Sequence, residues 1–180
     1  MLIGDTMIDN FNDAMFLSKV DNVFVKIFTA VMLDELDDVK HFMSDSVYLG
    51  FKDKNINLNN IGQRQMYDEI NVKSSRIDSI NQNGDFYIIE VSLDARYMDY
   101  IIDLNSGEKV FGDDTRRIEV PYKLVFKKAL NSTNQGMVRR WPGCGHPMDI
   151  NDSGKCDYCG TIYNLEEYDF ILDRIEKRLV

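Results

Sequence analysis

Arg117-Ile-Glu-Val-Pro-Tyr-Lys-Leu-Val-Phe-Lys127 reads as a β-strand with one buried face. Ile118, Val120, Tyr122, Leu124 and Phe126 fall on one side; Arg117, Glu119, Lys123 and Lys127 fall on the other. This is the period of two that a pleated strand imposes. The pattern extends upstream. From Lys73 the chain keeps a period of two, and residues 75–82 lead into Asn83-Gly84, a dipeptide suited to a tight hairpin with positive φ. Residues 85–103 predict a long second strand. Phe86 and Ile88 are followed by Val91 and Leu93, which implies a phase slip and hence a bulge. Asn105 and Gly107 mark the next turn, and residues 137–141 a last short strand.

The first part of the chain has the other period. Val20, Val23, Phe24, Ile27, Phe28, Val31 and Met32 recur at three- and four-residue steps, predicting an amphipathic helix that opens at Ser18. Met7, Ile8, Phe11, Ala14 and Met15 suggest a shorter helical arm before it, with Asp5 and Thr6 as caps. A third helix is expected from Asp34 or Glu35, burying Leu36, Val39, Phe42 and Met43. Residues 44–51 read as a further helical turn or two, the Asn-rich residues 52–60 as a loop, and residues 63–70 as a short helix. Residues 163–180 close the chain as a strand or helix. Helices followed by long antiparallel strands make an α+β fold. Long bulged strands curl, so the expected shape is a sheet roofed by helices around an apolar cone that its own side chains leave partly unfilled.

Composition narrows the functional classes. The chain has 180 residues, 44% hydrophobic, with ten Phe and nine Tyr, ample for a packed core. A net charge of −9 argues against general nucleic-acid binding and against docking on anionic lipid unless the cations are segregated. No run of residues has the length and apolarity of a membrane span, and no signal peptide is recognisable. The expected setting is the cytoplasm, with peripheral membrane contact allowed.

All three cysteines lie in Trp141-Pro-Gly-Cys-Gly-His-Pro-Met-Asp-Ile-Asn-Asp-Ser-Gly-Lys-Cys-Asp-Tyr-Cys-Gly160. Cys156-Asp-Tyr-Cys159-Gly160 is a zinc knuckle. Pro142-Gly-Cys144-Gly145 has the form of its partner, but Trp141 stands where the first cysteine belongs, and an indole offers only a donor. Four ligands are needed for a structural zinc. The expected set is Cys144, Cys156 and Cys159 with His146 or a water. Asp149, Asp152, Asp157 or a second chain are the other sources of a fourth ligand. The competing reading is a ribbon that keeps its turns and packs Trp141 where a ligand was lost.

Four features together resemble the Tim44-like domain proteins of bacteria, often zinc-ribbon-containing transport proteins. They are the run Ser18-Lys-Val-Asp-Asn-Val-Phe-Val-Lys26, the segment Arg64-Gln-Met-Tyr-Asp68, the antiparallel strands and the Cys144–Gly160 ribbon. The resemblance covers roughly residues 18–173, with the ribbon its specific part. It implies an NTF2-like cone with a large apolar pocket, followed by a small zinc ribbon. Mitochondrial relatives tether the import motor to the translocon and bind membrane lipid; the bacterial branch supplies no activity to carry over. Members typically read Cys-Pro-x-Cys at the first knuckle, so Trp141 is a departure. Many bacterial relatives carry a membrane segment upstream. None stands in this sequence, so membrane anchoring is not expected. The organisation implied is a helical arm over 1–17, a Tim44-like domain over 18–140, a zinc-ribbon-like segment over 141–162 and a closing element over 163–180.

Candidate pocket residues are Phe24, Phe28, Phe42, Tyr122, Leu124 and Phe126. A non-enzymatic module binding a protein segment or lipid is the main expectation, with an NTF2-like isomerase, dehydratase or hydrolase acting on a small hydrophobic substrate as the alternative. Catalysis in such a cone needs a titratable group held inside the pocket. Of the two histidines, His41 reads as a rim or surface residue and His146 belongs to the ribbon. Glu90, Asp94, Asp99 and Asp103 have no nucleophile to pair with, and Asp113-Asp114 reads as a solvated acidic turn. No catalytic residue is assigned, and no phosphate loop or nucleophile elbow appears. Arg139-Arg140 beside Trp141 offers a charge-plus-stacking contact to nucleic acid, but Asp149, Asp152 and Asp157 surround the same place.

Overall fold

The computed structural model describes residue 8 and residues 11–129, 139–140, 147–148 and 170–179. The order is α1 (Asp13–Leu33), a 3-10 helix (Leu36–Phe42), α2 (Asp45–Asn60), β1 (Gln63–Asn83), β2 (Phe86–Asp103), β3 (Lys109–Gly112), β4 (Ile118–Ala129), β5 (Arg139–Arg140), β6 (Pro147–Met148) and β7 (Ile171–Lys177). The main sheet is antiparallel in the order β1-β2-β4-β7, with β3 folded back on the end of β2. The fold is α+β, as the change of period predicts.

α1 starts at Asp13, not Ser18. The Asn12 side chain accepts from the Met15 N–H at 2.9 Å, and Asp13 adds a favourable charge to the first turn. The predicted stripe is buried: Val20, Val23, Phe24, Ile27, Phe28 and Val31. The helix ends at Asp34, whose φ of 58° is left-handed, while the Glu35 N–H closes back on the Ala30 C=O at 2.9 Å. The next helix is a 3-10 helix, and His41 is buried in it, its ring centroid 4.0 Å from that of Phe42.

Residues 52–60, expected as a loop, complete α2 instead. Two of their asparagines, Asn55 and Asn59, are spent on the end of α1. Asn55 is buried and donates to the Val31 C=O at 3.2 Å and to Asp34 Oδ1 at 3.1 Å; Asn59 donates to Asp34 Oδ2 at 2.9 Å. Arg64 lies 3.6 Å from the same carboxylate. The left-handed turn at Asp34, unfavourable for a side chain with a Cβ, is thus held by two amide donors and an ion pair.

Residues 63–70 are strand where a short helix was expected. They pair with the far end of β2, from Gln63↔Asp103 to Asp68↔Met98, and tertiary pairing overrides a weak local preference. The expected bulge also moves. β2 keeps one inward face throughout, Ile89, Val91, Leu93, Ala95 and Tyr97, and its register with β4 is unbroken from Phe86↔Ala129 to Tyr97↔Ile118. The extra residues sit in β1, between Asp68 and Asn71, Val72 and Ser74, and Ile77 and Ser79. The hairpin forms as predicted, one residue displaced: Asn83 pairs with Phe86, so Gly84, at φ 58°, is the first central residue. β4 buries Val120, Tyr122, Leu124 and Phe126 as its alternation requires. The closing element is a strand, β7, paired with β4.

The interior is filled by aromatic rings. Phe24 stacks on Phe28 at 4.2 Å, Phe28 meets Tyr67 at 4.8 Å and Tyr122 at 5.7 Å, and Tyr67 meets Tyr97 at 5.1 Å. The Tyr97 and Tyr122 hydroxyls share a hydrogen bond of 2.7 Å, which satisfies both in the core. The partly empty interior expected from strand length is therefore closed at its centre.

Two outcomes follow. Asn55→Ala leaves the Val31 carbonyl and Asp34 without their buried donor, and should lower unfolding free energy by about 1–3 kcal/mol in urea titration; a change under about 0.5 kcal/mol would refute the anchoring role. Burial holds the Tyr97 hydroxyl up at about 12, and raises Tyr67 and Tyr122 as well. Folded values above unfolded ones stabilise the protein fully below the ordinary tyrosine pKa of about 10, and that contribution is lost as pH rises through the folded values. Unfolding midpoints measured from pH 9 to 12 should fall above about pH 10; a flat profile would contradict the packing.

Candidate ligand pocket

The chain leaving the 3-10 helix is fastened to β7 before α2 begins. Met43 forms a parallel bridge with Leu172, the Ser44 N–H donates to the Leu172 C=O at 2.9 Å, and Ser44 Oγ donates to the Asp173 C=O at 3.4 Å. The same Ser44 oxygen caps α2 by accepting from the Val47 N–H. Beyond Asp173 nothing in α2 pairs with β7, and an open cavity of about 570 Å³ lies between them. Its size is that of a small-molecule or side-chain site.

Phe28, Tyr67 and Tyr122 form the floor. One wall is a single face of α2, where Val47, Gly50, Phe51 and Lys54 recur at helical spacing; the other is Asp173, Arg174, Ile175 and Lys177 of β7. Gly50 keeps the α2 wall low: a Cβ there would meet nothing within 4 Å. A glycine in mid-helix is destabilising by about 1 kcal/mol relative to alanine, so its place against the cavity has a local cost.

The mouth is basic. Lys54 Nζ donates to the Tyr67 hydroxyl at 2.9 Å and stands 5.3 Å from that ring centroid. Although the residue as a whole is exposed, desolvation of its ammonium lowers its pKa, with Lys177 adding repulsion and Asp99 opposing both. Arg174 and Lys177 line the same mouth, while Asp173 is paired with Lys127 at 3.4 Å. The surface is suited to an apolar body with an acidic or hydrogen-bond-accepting end.

Of the residues picked from sequence, Phe28 and Tyr122 reach the cavity. Phe24, Leu124 and Phe126 are packed in the core behind it, Phe126 against Phe16 at 5.6 Å. Phe42 is half-buried beside His41, with Lys26 Nζ 5.3 Å from its ring centroid, away from the cavity wall. Phe51 and Lys54 were hidden by the Asn-rich composition around them. The spacing Val47, Gly50, Phe51, Lys54 was the signal available. The acidic residues of β2 are engaged elsewhere: Glu90 with Lys123 and Ser79, Asp94 with Ser74 and Arg178, Asp99 with Gln65. Asp113 accepts from Thr115 and pairs with Arg116, which holds its carboxyl down at about 2.

Among the described residues no cluster of three or more His, Cys, Asp or Glu could hold a metal ion. Cys144, Cys156, Cys159 and His146 lie outside the described residues, as do Trp141 and most of the ribbon-like segment. What is described there is the pairing of β5 with β6, Arg139↔Met148 and Arg140↔Pro147. No described helix is long and apolar enough to cross a membrane.

Comparison with known proteins gives a family and a structural similarity. No curated protein matches the chain in sequence. Among solved structures, the crystal structure of the intermembrane space region of chloroplast protein ARC6 is similar at a TM-score of 0.49 and 11% identity, covering 93% of this chain and 97% of that one. Similarity at that level carries no argument about fold or function. A family model described as the Tim44-like domain matches residues 5–138, from before α1 to beyond β4. The chain belongs to the Tim44-like domain family.

Proposed function

We propose that this chain is a non-enzymatic binding module, an NTF2-like cone whose mouth accepts an apolar protein segment or the acyl part of a lipid. The observation that carries the reading is the open cavity of about 570 Å³ floored by Phe28, Tyr67 and Tyr122. Family membership supports it, since Tim44-like domains associate with proteins or membranes. The enzyme alternative calls for a buried carboxylate or histidine bonded to a second polar group at the floor. The polar groups at the floor are tyrosine hydroxyls held protonated by burial, and the carboxylate in the wall, Asp173, is engaged by Lys127. A cytoplasmic setting with peripheral membrane contact, in transport or assembly, is the role such a module fits.

The ribbon adds a second element. Cys144, Cys156, Cys159 and His146 would hold one zinc as three thiolates and an imidazole. In support, β5 and β6 pair with each other, and the sequence between them, residues 141–146, includes Cys144 and His146. With zinc bound, the segment would gain folding free energy from the metal. The metal's part is structural.

The pocket is tested by filling it. Gly50→Leu should weaken binding of the apolar anion 8-anilinonaphthalene-1-sulfonate at least about tenfold, or 1.4 kcal/mol. Thermal stability should hold or rise, because leucine is the better helix former. Unchanged binding by a folded variant would place the ligand elsewhere. For the metal, native mass spectrometry on protein purified without a metal-affinity tag should show Trp141→Cys holding zinc more tightly than the native chain. A native chain that already retains one zinc as firmly as the variant would show that Trp141 does not weaken the site.

A further inference from the structure

Among the described residues β7 is an edge strand, and half of its edge is already used as a strand acceptor. Met43 and Ser44 lie along it at Leu172, parallel to β7, and then turn away into α2. Among the described residues the other half has no partner. The Arg178 N–H donates to the Pro121 C=O at 2.8 Å, and the register continues Tyr122↔Lys177, Lys123↔Glu176, Leu124↔Ile175 and Val125↔Arg174. Hydrogen-bonded and non-bonded pairs alternate in an antiparallel ladder. Arg174 and Glu176 therefore share the bonds with β4, and Ile175 and Lys177 turn their N–H and C=O groups to the open edge. Both residues line the cavity, and among the described residues no hydrogen bond reaches those groups.

Resting on the proposed reading of the pocket, we infer that β7 is the acceptor for an added strand: an extended peptide segment, apolar at alternate positions and acidic at one end, pairs with Ile175 and Lys177. One of its apolar side chains sits on Phe28, Tyr67 and Tyr122, and its acidic end meets Lys54, Arg174 or Lys177. Such strand addition draws affinity from the backbone and specificity from the alternate side chains. A peptide fits better than a lipid for one physical reason. An acyl chain filling this groove would strip water from the Ile175 and Lys177 backbone groups and return no hydrogen bond, whereas an extended backbone satisfies them. The basic mouth on a chain of net charge −9 supplies the complementarity for the acidic end.

The test uses the full chain, 15N-labelled, with capped peptides of alternating Thr and Val or Phe ending in Glu. On peptide addition the Ile175 and Lys177 amides should exchange with deuterium at least about tenfold more slowly. Because Lys177 faces the open edge, Lys177→Pro removes that donor without touching the β4 ladder. It should weaken peptide binding about tenfold more than Lys177→Gln, which removes only the charge, while the two variants, having lost the same charge, bind 8-anilinonaphthalene-1-sulfonate equally well. Peptide binding without amide protection, or at wild-type strength in Lys177→Pro, overturns strand addition and leaves the pocket reading standing. Should Lys177→Pro not fold, the exchange measurement on the native chain decides alone. Binding of phosphatidylglycerol vesicles but of none of the peptides assigns the groove to lipid and also overturns it. If dye, peptides and vesicles all fail to bind, the pocket reading itself fails.

Discussion

At Ser44 the backbone and side chain together fasten the helical layer to the far edge of the sheet, and the position of everything around the cavity follows. Its N–H is held by Leu172, and its hydroxyl both caps α2 and donates to the Asp173 carbonyl. α2 must begin against β7 and then diverge from it, because a helix cannot follow a strand's path. The wedge between them is a consequence of that divergence. Phe28, Tyr67 and Tyr122 floor it as one group of rings, with Phe28 in contact with both tyrosines.

A second tether works at the other end of the same helix. Asp34 gathers Asn55, Asn59 and Arg64 around a left-handed turn, tying the end of α1 to α2 and to the start of β1. The Asn59 and Arg64 contacts are only partly shielded, so each is worth little alone. Asn55 differs, since it is buried and its partner carbonyl has no access to water. Between the two tethers α2 is free to carry Gly50 and Lys54 towards the cavity.

The faces of the sheet divide the labour. The inward face is continuous apolar surface, from Ile89 to Tyr97 on β2 and Val120 to Phe126 on β4. The outward face is laced with cross-strand pairs such as Lys73–Glu119, Lys123–Glu90 and Ser74–Asp94. These confer solubility and strand register more than stability. Stability resides in the burial of the aromatic column, and binding capacity resides where that column stops.

Much of this was legible in the residues themselves. Period-two alternation in β4, the Asn83-Gly84 turn and the 3.6-residue stripe of α1 each depend on neighbours a few positions apart, which local sequence contains. Phe28 and Tyr122 could be named as pocket residues because they are aromatic members of the inward stripes. What local pattern could not contain is pairing at a distance. Residues 63–70 are strand where the end of β2 lies beside them, and residues 52–60 are helix where Asp34 and Val31 accept from Asn55 and Asn59. The cavity depends on the same long-range contacts: it exists because β7 returns to meet Ser44, more than a hundred residues earlier in the chain, and no window of sequence holds both. Composition and periodicity determined the layers and their inward faces, since burial follows side-chain chemistry; tertiary pairing alone decided where the layers part, since that is set by hydrogen bonds between distant segments.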